Sequence, residues 1–387
     1  MNDLFKFGDY WDTGTMMLLL FLGCVIALLC YVGDLSQRRY NHNERSARCK
    51  YLLCVSSKWP YFVIFIILLF FFTFRSKYVG ADTIEYVKFF SSSKDYVEST
   101  PFLDAIIVYE PLFLLVNYIV RVLTDSYTIY FLVCGCVIAY SFVRFFRVFW
   151  NKKRSFIYII LFVSSYYYFM NVMRFGLGTS FVMLSMCALY EKKYWKSILL
   201  TLVGALFHYT MVIQLPLVVY YYLVDKNGRT RKNRAFLLLV SGVALLAVLL
   251  PRVNTLLSST KYQAYLRNNL DSVNILGLWN IIGVVLIACI FFYFLKGREK
   301  KTNILVISGM YNIVPLLLII FVGAYRVGDI YSMTRISLLD EIPSRFPRNE
   351  QVIIKLLSMI IVIFFLLYKF GRYSNSIGFA YEFVWSV

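Results

Sequence analysis

The sequence predicts an all-α polytopic membrane protein with about eleven transmembrane helices. Its 387 residues are 60% hydrophobic, only 16% are charged, and the mean hydropathy is +0.67. A soluble domain of this length carries far more polar surface. Apolar runs recur along the whole chain, and about 20 apolar residues span a hydrocarbon core as a helix. No stretch is long and polar enough to form a soluble domain, so residues 1–387 are predicted to be one integral membrane domain.

The longest apolar runs give the predicted crossings. The run 196–224 has His208 in its middle and is predicted to form two short helices that turn near the outer face. The first run follows three aspartates and lacks the basic start of a signal peptide, so it is predicted to be retained with the N-terminus outside. The crossings lie at 15–33, 59–74, 127–146, 155–173, 175–190, 196–208, 210–224, 235–251, 276–295, 303–323 and 352–369.

The distribution of Lys and Arg predicts the orientation, because basic loops stay on the cytoplasmic side. Six segments hold 25 of the 40 basic residues but 6 of the 21 acidic ones, so the inside carries the whole net charge of +19. The basicity therefore indicates topology and requires no nucleic acid. The C-terminus is expected in the cytoplasm. These segments are 34–58, 144–154, 191–196, 225–234, 296–301 and the tail from 369.

The outer loops are then 75–126, 252–275 and 324–351. Residues 106–123 are apolar enough to cross, but a crossing there would reverse every later loop. Glu110, Pro111, Asn117 and Arg121 also make this segment a poor spanning helix. It is predicted to be an amphipathic helix in the outer interface.

Polar residues that suit a phosphate-bearing substrate collect at the outer level. Guanidinium groups bind phosphate through paired donors, and Arg174 is predicted at a helix N-terminus, where backbone N–H groups favour anions. His208 and the carboxylates are the groups available for proton transfer. The candidates are Arg75, Asp82, Glu85, Tyr86, Glu110, Arg174, His208, Arg326 and Arg335.

Each candidate also has an ordinary structural interpretation. Arg75 alone is typical of a boundary charge that snorkels to the interface. A single histidine between apolar flanks, such as His208, is often structural. Arg326 and Arg335 have acidic neighbours in the same loop that can pair with them. The Cys134-x-Cys136 pair has no His or further Cys nearby, so no metal site and no cofactor are expected.

Five short motifs follow one another in a definite order. They are R-x₄-G-A-D-T-x₂-Y (75–86), E-P-L-F (110–113), M-R-F-G-L-G (173–178), F-H-Y-T-M-V-I (207–213) and T-R-I-S-L-L (334–339). In this order the chain resembles the EpsG/Wzy family of bacterial polysaccharide polymerases over roughly residues 60–345. It departs from that pattern at Ala81, at Phe175 and in the acidic stretch 337–346.

The resemblance implies a fold like that of GT-C glycosyltransferases and a polymerase of O-antigen, capsule or exopolysaccharide. Such an enzyme transfers a growing glycan from undecaprenyl pyrophosphate to the non-reducing end of another lipid-linked repeat unit. It also implies a bacterial cytoplasmic (inner) membrane. The expected partners are the lipid-linked oligosaccharide, membrane lipid and a chain-length regulator protein.

The resemblance also implies roles for individual residues. Arg75, Arg174, Arg326 and Arg335 hold the pyrophosphate, and Tyr86 lines the substrate site. Asp82, Glu110 or His208 takes the proton from the acceptor hydroxyl, with His208 favoured because a neutral imidazole is the better base near neutral pH.

Two alternatives stay open at this stage. An O-antigen ligase is expected to have a larger outer loop near its end than the 28 residues of 324–351. A transporter or flippase of lipid-linked oligosaccharide is expected to carry charges near the membrane midplane and paired repeats. Here the charges gather at helix ends instead.

Overall fold

The apolar runs of the sequence form helices wherever the structure describes them. The computed structural model describes residues 13–42, 47–80, 82–149 and 156–227, together with 330–331, 333–334, 337, 346–347, 349–357, 360 and 381–386. The helices are α1 (Thr13–His42), α2 (Ala47–Thr73), α3 (Thr83–Ser99), α4 (Phe102–Val108), α5 (Pro111–Leu123), α6 (Tyr127–Phe149), α7 (Phe156–Asn171), α8 (Met173–Tyr190), α9 (Tyr194–Phe207) and α10 (Leu215–Asn227).

Within these ranges the all-helical prediction is confirmed. Two helices, α6 and α8, are long and apolar enough by themselves to cross a membrane, and several shorter apolar helices accompany them. The predicted crossings at 235–251, 276–295 and 303–323 lie outside the described residues, as does the loop 252–275. Of the run 352–369, residues 352–357 and 360 are described, and they are helical.

The described residues fall in two compact units. The first comprises those within 1–98, 116–177 and 339–387, and the second comprises those within 99–115 and 178–338. Each is described separately below. The expectation of one integral membrane domain stays a prediction.

In the first unit, α1, α2, α6 and α7 pack as a bundle in which consecutive helices alternate in direction. Phe72, near the end of α2, packs against Tyr166 near the end of α7, with ring centroids 6.1 Å apart. An added Cβ at Gly135, in the first half of α6, would lie 2.8 Å from a ring carbon of Phe72. The end of α2, the end of α7 and the beginning of α6 therefore share one end of the bundle. We call it the Arg75 end after the residue that follows α2.

The basic segment 34–58 is not the loop that was predicted. Helix α1 continues to His42 and α2 begins at Ala47, so that only 43–46 separates the two helices. Arg, Lys and Gln are good helix formers, and hydrophobicity alone does not locate the end of a helix that continues into water.

The helix predicted at 106–123 is present but interrupted, and its place in the outer interface stays a prediction. The chain forms α4, breaks at Tyr109 and Glu110, and resumes as α5 at Pro111. Proline disfavours helical geometry in the residue before it and suits the first position of a helix. Glu110 is the residue before Pro111, and Tyr109, which ends α4, is extended with φ −127° and ψ 142°.

The predicted break at His208 is confirmed. His208 is extended, with φ −158° and ψ 111°, and separates α9 from a 3-10 helix, Tyr209–Gln214, that leads into α10. His208 therefore lies in the second unit, in the extended residue between α9 and the 3-10 helix.

Residues near the beginning of α1 and residues 381–386 meet at the Arg75 end of the bundle. The backbone N–H of Tyr381 donates to the hydroxyl of Thr15 at 2.7 Å, and residues 381–386 lie against the end of α2. The prediction put the N-terminus and the C-terminus on opposite sides of the membrane, whereas Thr15 and Tyr381 lie at the same end of one bundle. The sides on which the two termini lie stay a prediction.

Candidate active site

Arg75 is fully buried at the end of the bundle. Its guanidinium carbon lies 4.4 Å from the ring centroid of Phe72 and 4.4 Å from that of Phe131. Its Nη2 atom lies 3.8 Å from the sulfur of Met173. The side chain is thus held by two aromatic faces and a thioether, and it is not a boundary charge that snorkels to water.

The charge of Arg75 has no acidic partner among the described residues. Its Nε and Nη1 atoms are buried and make no hydrogen bond to any part of the chain that the structure describes. Burial lowers the pKa of Arg75 to about 10, so the guanidinium still carries its proton at neutral pH. Cation–π contacts contribute about 2 kcal/mol each when desolvated. They offset part of the cost of burying the charge but leave two donors without a hydrogen bond among the described residues.

The loop after Arg75 is fixed to the end of α7 by Asn171. The carboxamide oxygen of Asn171 accepts the backbone N–H of Asp82 at 2.9 Å. Gly80 has φ +94°, and a Cβ there would lie 2.7 Å from that same oxygen. Only glycine allows both this backbone conformation and this approach.

Asp82 stands directly before α3, whose first turn is held by local bonds. The hydroxyl of Thr83 donates to the carbonyl of Val79 at 2.6 Å, and the N–H of Tyr86 donates to the carbonyl of Asp82 at 3.2 Å. The side chains of Asp82 and Tyr86 are half-buried, while Glu85 is exposed and pairs with Lys88 at 2.7 Å. Glu85 therefore belongs to the solvated face of the helix.

Arg174 lies in the first turn of α8, as predicted, and its side chain is half-buried. Only Val172 separates α7 from α8, and the chain turns sharply there. A Cβ on Gly176 would lie 3.1 Å from the Cβ of Phe169. The motif that contains Arg174 and the motif that contains Arg75 meet at this corner, through Met173.

In the second unit, His208 packs beside α8. A Cβ on Gly178 would lie 3.0 Å from the Cβ of His208 and 2.9 Å from the Cγ of Met211. The last glycine of the M-R-F-G-L-G motif therefore makes room for the histidine motif. The Nδ1 atom of His208 lies 2.7 Å from the hydroxyl of Thr210.

The contact with Thr210 bears on the chemistry that His208 can perform. A hydroxyl can accept a hydrogen bond from Nδ1–H or donate one to a bare Nδ1. When the hydroxyl accepts, Nε2 is the basic nitrogen of a neutral imidazole. Thr210 thus orients the ring in the way that a base is held by a second polar group.

Glu110 is fully buried at the break between α4 and α5. Tyr209, next to His208, donates its hydroxyl to the carbonyl of Ile106 at 2.8 Å. Burial raises the pKa of Tyr209, and the negative charge of nearby Glu110 adds to the effect. The second unit therefore brings the E-P-L-F motif and the histidine motif together.

Arg326 and Arg335 lie outside the described residues. Residues beside Arg335 are buried in the second unit, although 324–351 was predicted to be an outer loop. Tyr331 donates its hydroxyl to the carboxamide oxygen of Gln214 at 2.7 Å, and the hydroxyl of Thr334 lies 3.6 Å from the sulfur of Met186.

Sequence reasoning missed three kinds of residue in these clusters. Asn171 lies two residues before the M-R-F-G-L-G motif, and its polar side chain at the end of an apolar run was the available signal. Phe72 and Phe131 were indistinguishable from other apolar helix residues. Gln214 is fully buried, and its amide nitrogen makes no hydrogen bond in the part of the chain that the structure describes.

The described residues define an all-helical protein with apolar helices and two polar clusters built from motifs distant in the sequence. The EpsG family model matches residues 58–383. The chain belongs to the EpsG family, and this membership supports a general role in polysaccharide polymerisation at a membrane. No curated protein and no solved structure matches the chain significantly.

Proposed function

We propose that the protein is a polysaccharide polymerase that lengthens a lipid-linked glycan at the outer face of the bacterial cytoplasmic membrane. The observation that carries the proposal is the buried Arg75, which joins the family's arginine loop to the M-R-F-G-L-G motif through Met173. A fully buried cation with two unsatisfied donors is suited to an anionic group such as a diphosphate.

The proposed reaction transfers the glycan from undecaprenyl diphosphate to the non-reducing sugar of a second lipid-linked unit. The acceptor hydroxyl oxygen forms a bond to the anomeric carbon of the donor. The bond from that carbon to the diphosphate oxygen breaks, and the diphosphate leaves with both electrons. The acceptor proton passes to a protein base, so no nucleotide sugar is consumed.

Arg75 and Arg174 are proposed to bind the diphosphate and to stabilise the negative charge that grows on it as it leaves. Arg326 and Arg335 are proposed to contribute in the same way. Tyr86, half-buried on α3, is proposed to contact sugar. Because Arg75 has no exposed surface in this conformation, contact with substrate requires the protein around it to open.

His208 is the proposed general base, oriented by Thr210. Glu110 and Asp82 are the alternative bases. Glu110 is fully buried, whereas Asp82 is half-buried and its backbone is fixed by Asn171. The proposal includes a fold like that of GT-C glycosyltransferases, membrane lipid, and a chain-length regulator as partner.

An O-antigen ligase and a transporter of the same lipid-linked substrate are the competing functions. Both would use a diphosphate-binding cluster. They differ in the product, because a ligase transfers a finished glycan to a different acceptor and a transporter breaks no glycosidic bond.

The test uses purified protein in detergent with repeat units linked to undecaprenyl diphosphate and no nucleotide sugar. The proposal predicts a ladder of lengthened glycans on a gel, lost in Arg174→Ala and in His208→Ala. The matched control is Arg121→Ala, which removes an arginine that pairs with the exposed Asp125. Movement of intact substrate across vesicles without lengthening would contradict the proposal and favour a transporter.

A further inference from the structure

Residues 381–386 form a short strap across the chain segment that carries Arg75. The N–H of Ser76 donates to the carbonyl of Glu382 at 2.8 Å, and the N–H of Val384 donates to the carbonyl of Phe74 at 2.8 Å. Arg75 lies directly opposite Phe383 in this antiparallel bridge. The strap therefore covers the backbone on both sides of the buried guanidinium.

Aromatic side chains fasten the strap to the end of α2. Tyr381 donates its hydroxyl to the carbonyl of Phe71 at 2.7 Å. Phe383 and Trp385 stack with ring centroids 4.6 Å apart and an interplanar angle of 9°. Trp385 also lies 5.8 Å from the ring of Phe74 and remains 60% exposed.

The strap is more exposed than the side chains that contact the guanidinium. Two backbone bonds, two bonds of Tyr381 and ring contacts with Phe70, Phe71, Phe74 and Tyr167 hold it, but none of residues 381–385 is fully buried. The other contacts of Arg75 come from Phe72 on α2, Phe131 on α6 and Met173 on α8, which are themselves fully buried within helices. Elements with few buried apolar contacts open at the lowest cost.

We propose that the strap is a gate over an anion-binding site centred on Arg75. The strap separates from residues 74–76 when a diphosphate group reaches Nε and Nη1, and it closes when the group departs. This inference rests on the proposed function, because the diphosphate of the lipid carrier is its ligand.

The surroundings of Arg75 give a physical reason for a closed position of the strap. With the strap in place, the guanidinium stacks on Phe72 and Phe131, and the Arg75 residue is fully buried. In this closed state two donors of Arg75 make no hydrogen bond to a described residue, and an entering diphosphate would accept hydrogen bonds from both. The open state therefore binds the anion more tightly than the closed state does. Such a difference in affinity is what allows a ligand to shift the protein from one state to the other.

The gate is tested by fluorine NMR of full-length protein that contains 5-fluorotryptophan. The signal of Trp385 is assigned by Trp385→Phe, and Trp195, an 83% exposed residue of α9, serves as the internal control. Farnesyl diphosphate, inorganic pyrophosphate and farnesol are added in separate arms, and their binding is measured by calorimetry. The two phosphate arms distinguish a lipid-linked from a free diphosphate.

The gate predicts a saturable change of the Trp385 signal with either diphosphate, no change with farnesol, and no change at Trp195. Arg75→Gln removes the response. Phe383→Ala, which weakens the strap, lowers the dissociation constant about threefold or more, because the binding-competent state becomes more populated. Deletion of residues 381–387 has the same effect, with size-exclusion chromatography as the check of folding.

Two different results would overturn the inference, and they have different consequences. If diphosphate binds while the Trp385 signal stays constant, the gate is wrong and the proposed function stands. If neither diphosphate binds at saturating concentration, the anion site itself is wrong and the proposed function falls with it.

Discussion

The carboxamide of Asn171 binds the backbone of Asp82 across 89 positions of sequence, with 2.9 Å between Oδ1 and the amide nitrogen. This bond links the loop after α2 to the corner between α7 and α8. It joins two family motifs in one structural element, so changes at either end are expected to affect the same step.

Gly80→Ala is expected to displace the loop between α2 and α3 from Asn171. The new Cβ would lie 2.7–2.9 Å from atoms of Asn171, at a φ of +94° that alanine disfavours. We expect a loss of about 1–3 kcal/mol in stability and of most activity. Thermal unfolding in detergent and the glycan ladder are the measurements.

The control for Gly80→Ala is Gly33→Ala. A Cβ at Gly33, within α1, meets ordinary contacts of 3.4 Å or more, and alanine favours the helix. Equal losses in the two variants would show that the Gly80 contact has no special role.

Asn171→Ala is expected to loosen the orientation of Asp82 without unfolding the bundle. One lost hydrogen bond costs about 0.5–1.5 kcal/mol. Activity should fall more than stability does, by about tenfold, because the position of the loop sets the geometry of the cluster. Ser92→Ala on the exposed face of α3 should change neither quantity, and unchanged activity in Asn171→Ala would contradict the role given to it.

The variant Arg75→Met tests whether Arg75 is needed for stability or for activity. An apolar side chain of similar length replaces a buried charge that has no described acidic partner. Stability should therefore stay equal or rise by about 1–4 kcal/mol. Activity should fall at least about a hundredfold, since the diphosphate loses its buried cation.

Arg75→Lys should also be inactive, because an ammonium group lacks the planar donors of Arg75. Unfolding of Arg75→Met, or full activity of either variant, would contradict the anion-binding role. Circular dichroism and the ladder assay decide between these outcomes.

Thr210→Val tests the orientation of His208. Valine keeps the shape of the side chain but removes the hydroxyl that lies 2.7 Å from Nδ1. We expect kcat to fall about tenfold or more with KM unchanged, because a positioned base contributes about 10²–10⁴-fold. Thr128→Val on α6 makes the same chemical change away from His208. A rise of KM alone would indicate a role in binding instead.

The helices could be predicted from the sequence because long apolar runs are typical of helices in a membrane protein. The break at His208 was predictable for the same reason, since a polar residue interrupts one long apolar stretch. The end of α1 at His42 was not, because a helix that leaves the apolar layer keeps its propensity but loses its hydrophobic signal. Pro111 indicated a break in the helix, but the apolar pattern on both sides of it favoured one continuous helix in the prediction.

Within the candidate site, the sequence identified charged and titratable residues but not their surroundings. It located Arg75, Arg174 and His208 at helix ends, and the structure agrees. The contacts of Arg75 with Phe72 and Phe131, and the hydrogen bond from Asp82 to Asn171, include residues from distant segments of the chain. A single sequence does not indicate which distant segments come together. The contact between Tyr381 and Thr15 was missed for the same reason.

The most direct test of the central claim measures two products in one reaction. Purified protein receives lipid-linked repeat units without nucleotide sugar, and mass spectrometry counts released undecaprenyl diphosphate and new glycosidic bonds. The account predicts one released carrier for each new bond, with both products lost together in Arg174→Ala and His208→Ala. Carrier that stays attached to its glycan while the intact lipid crosses a vesicle membrane would contradict the account.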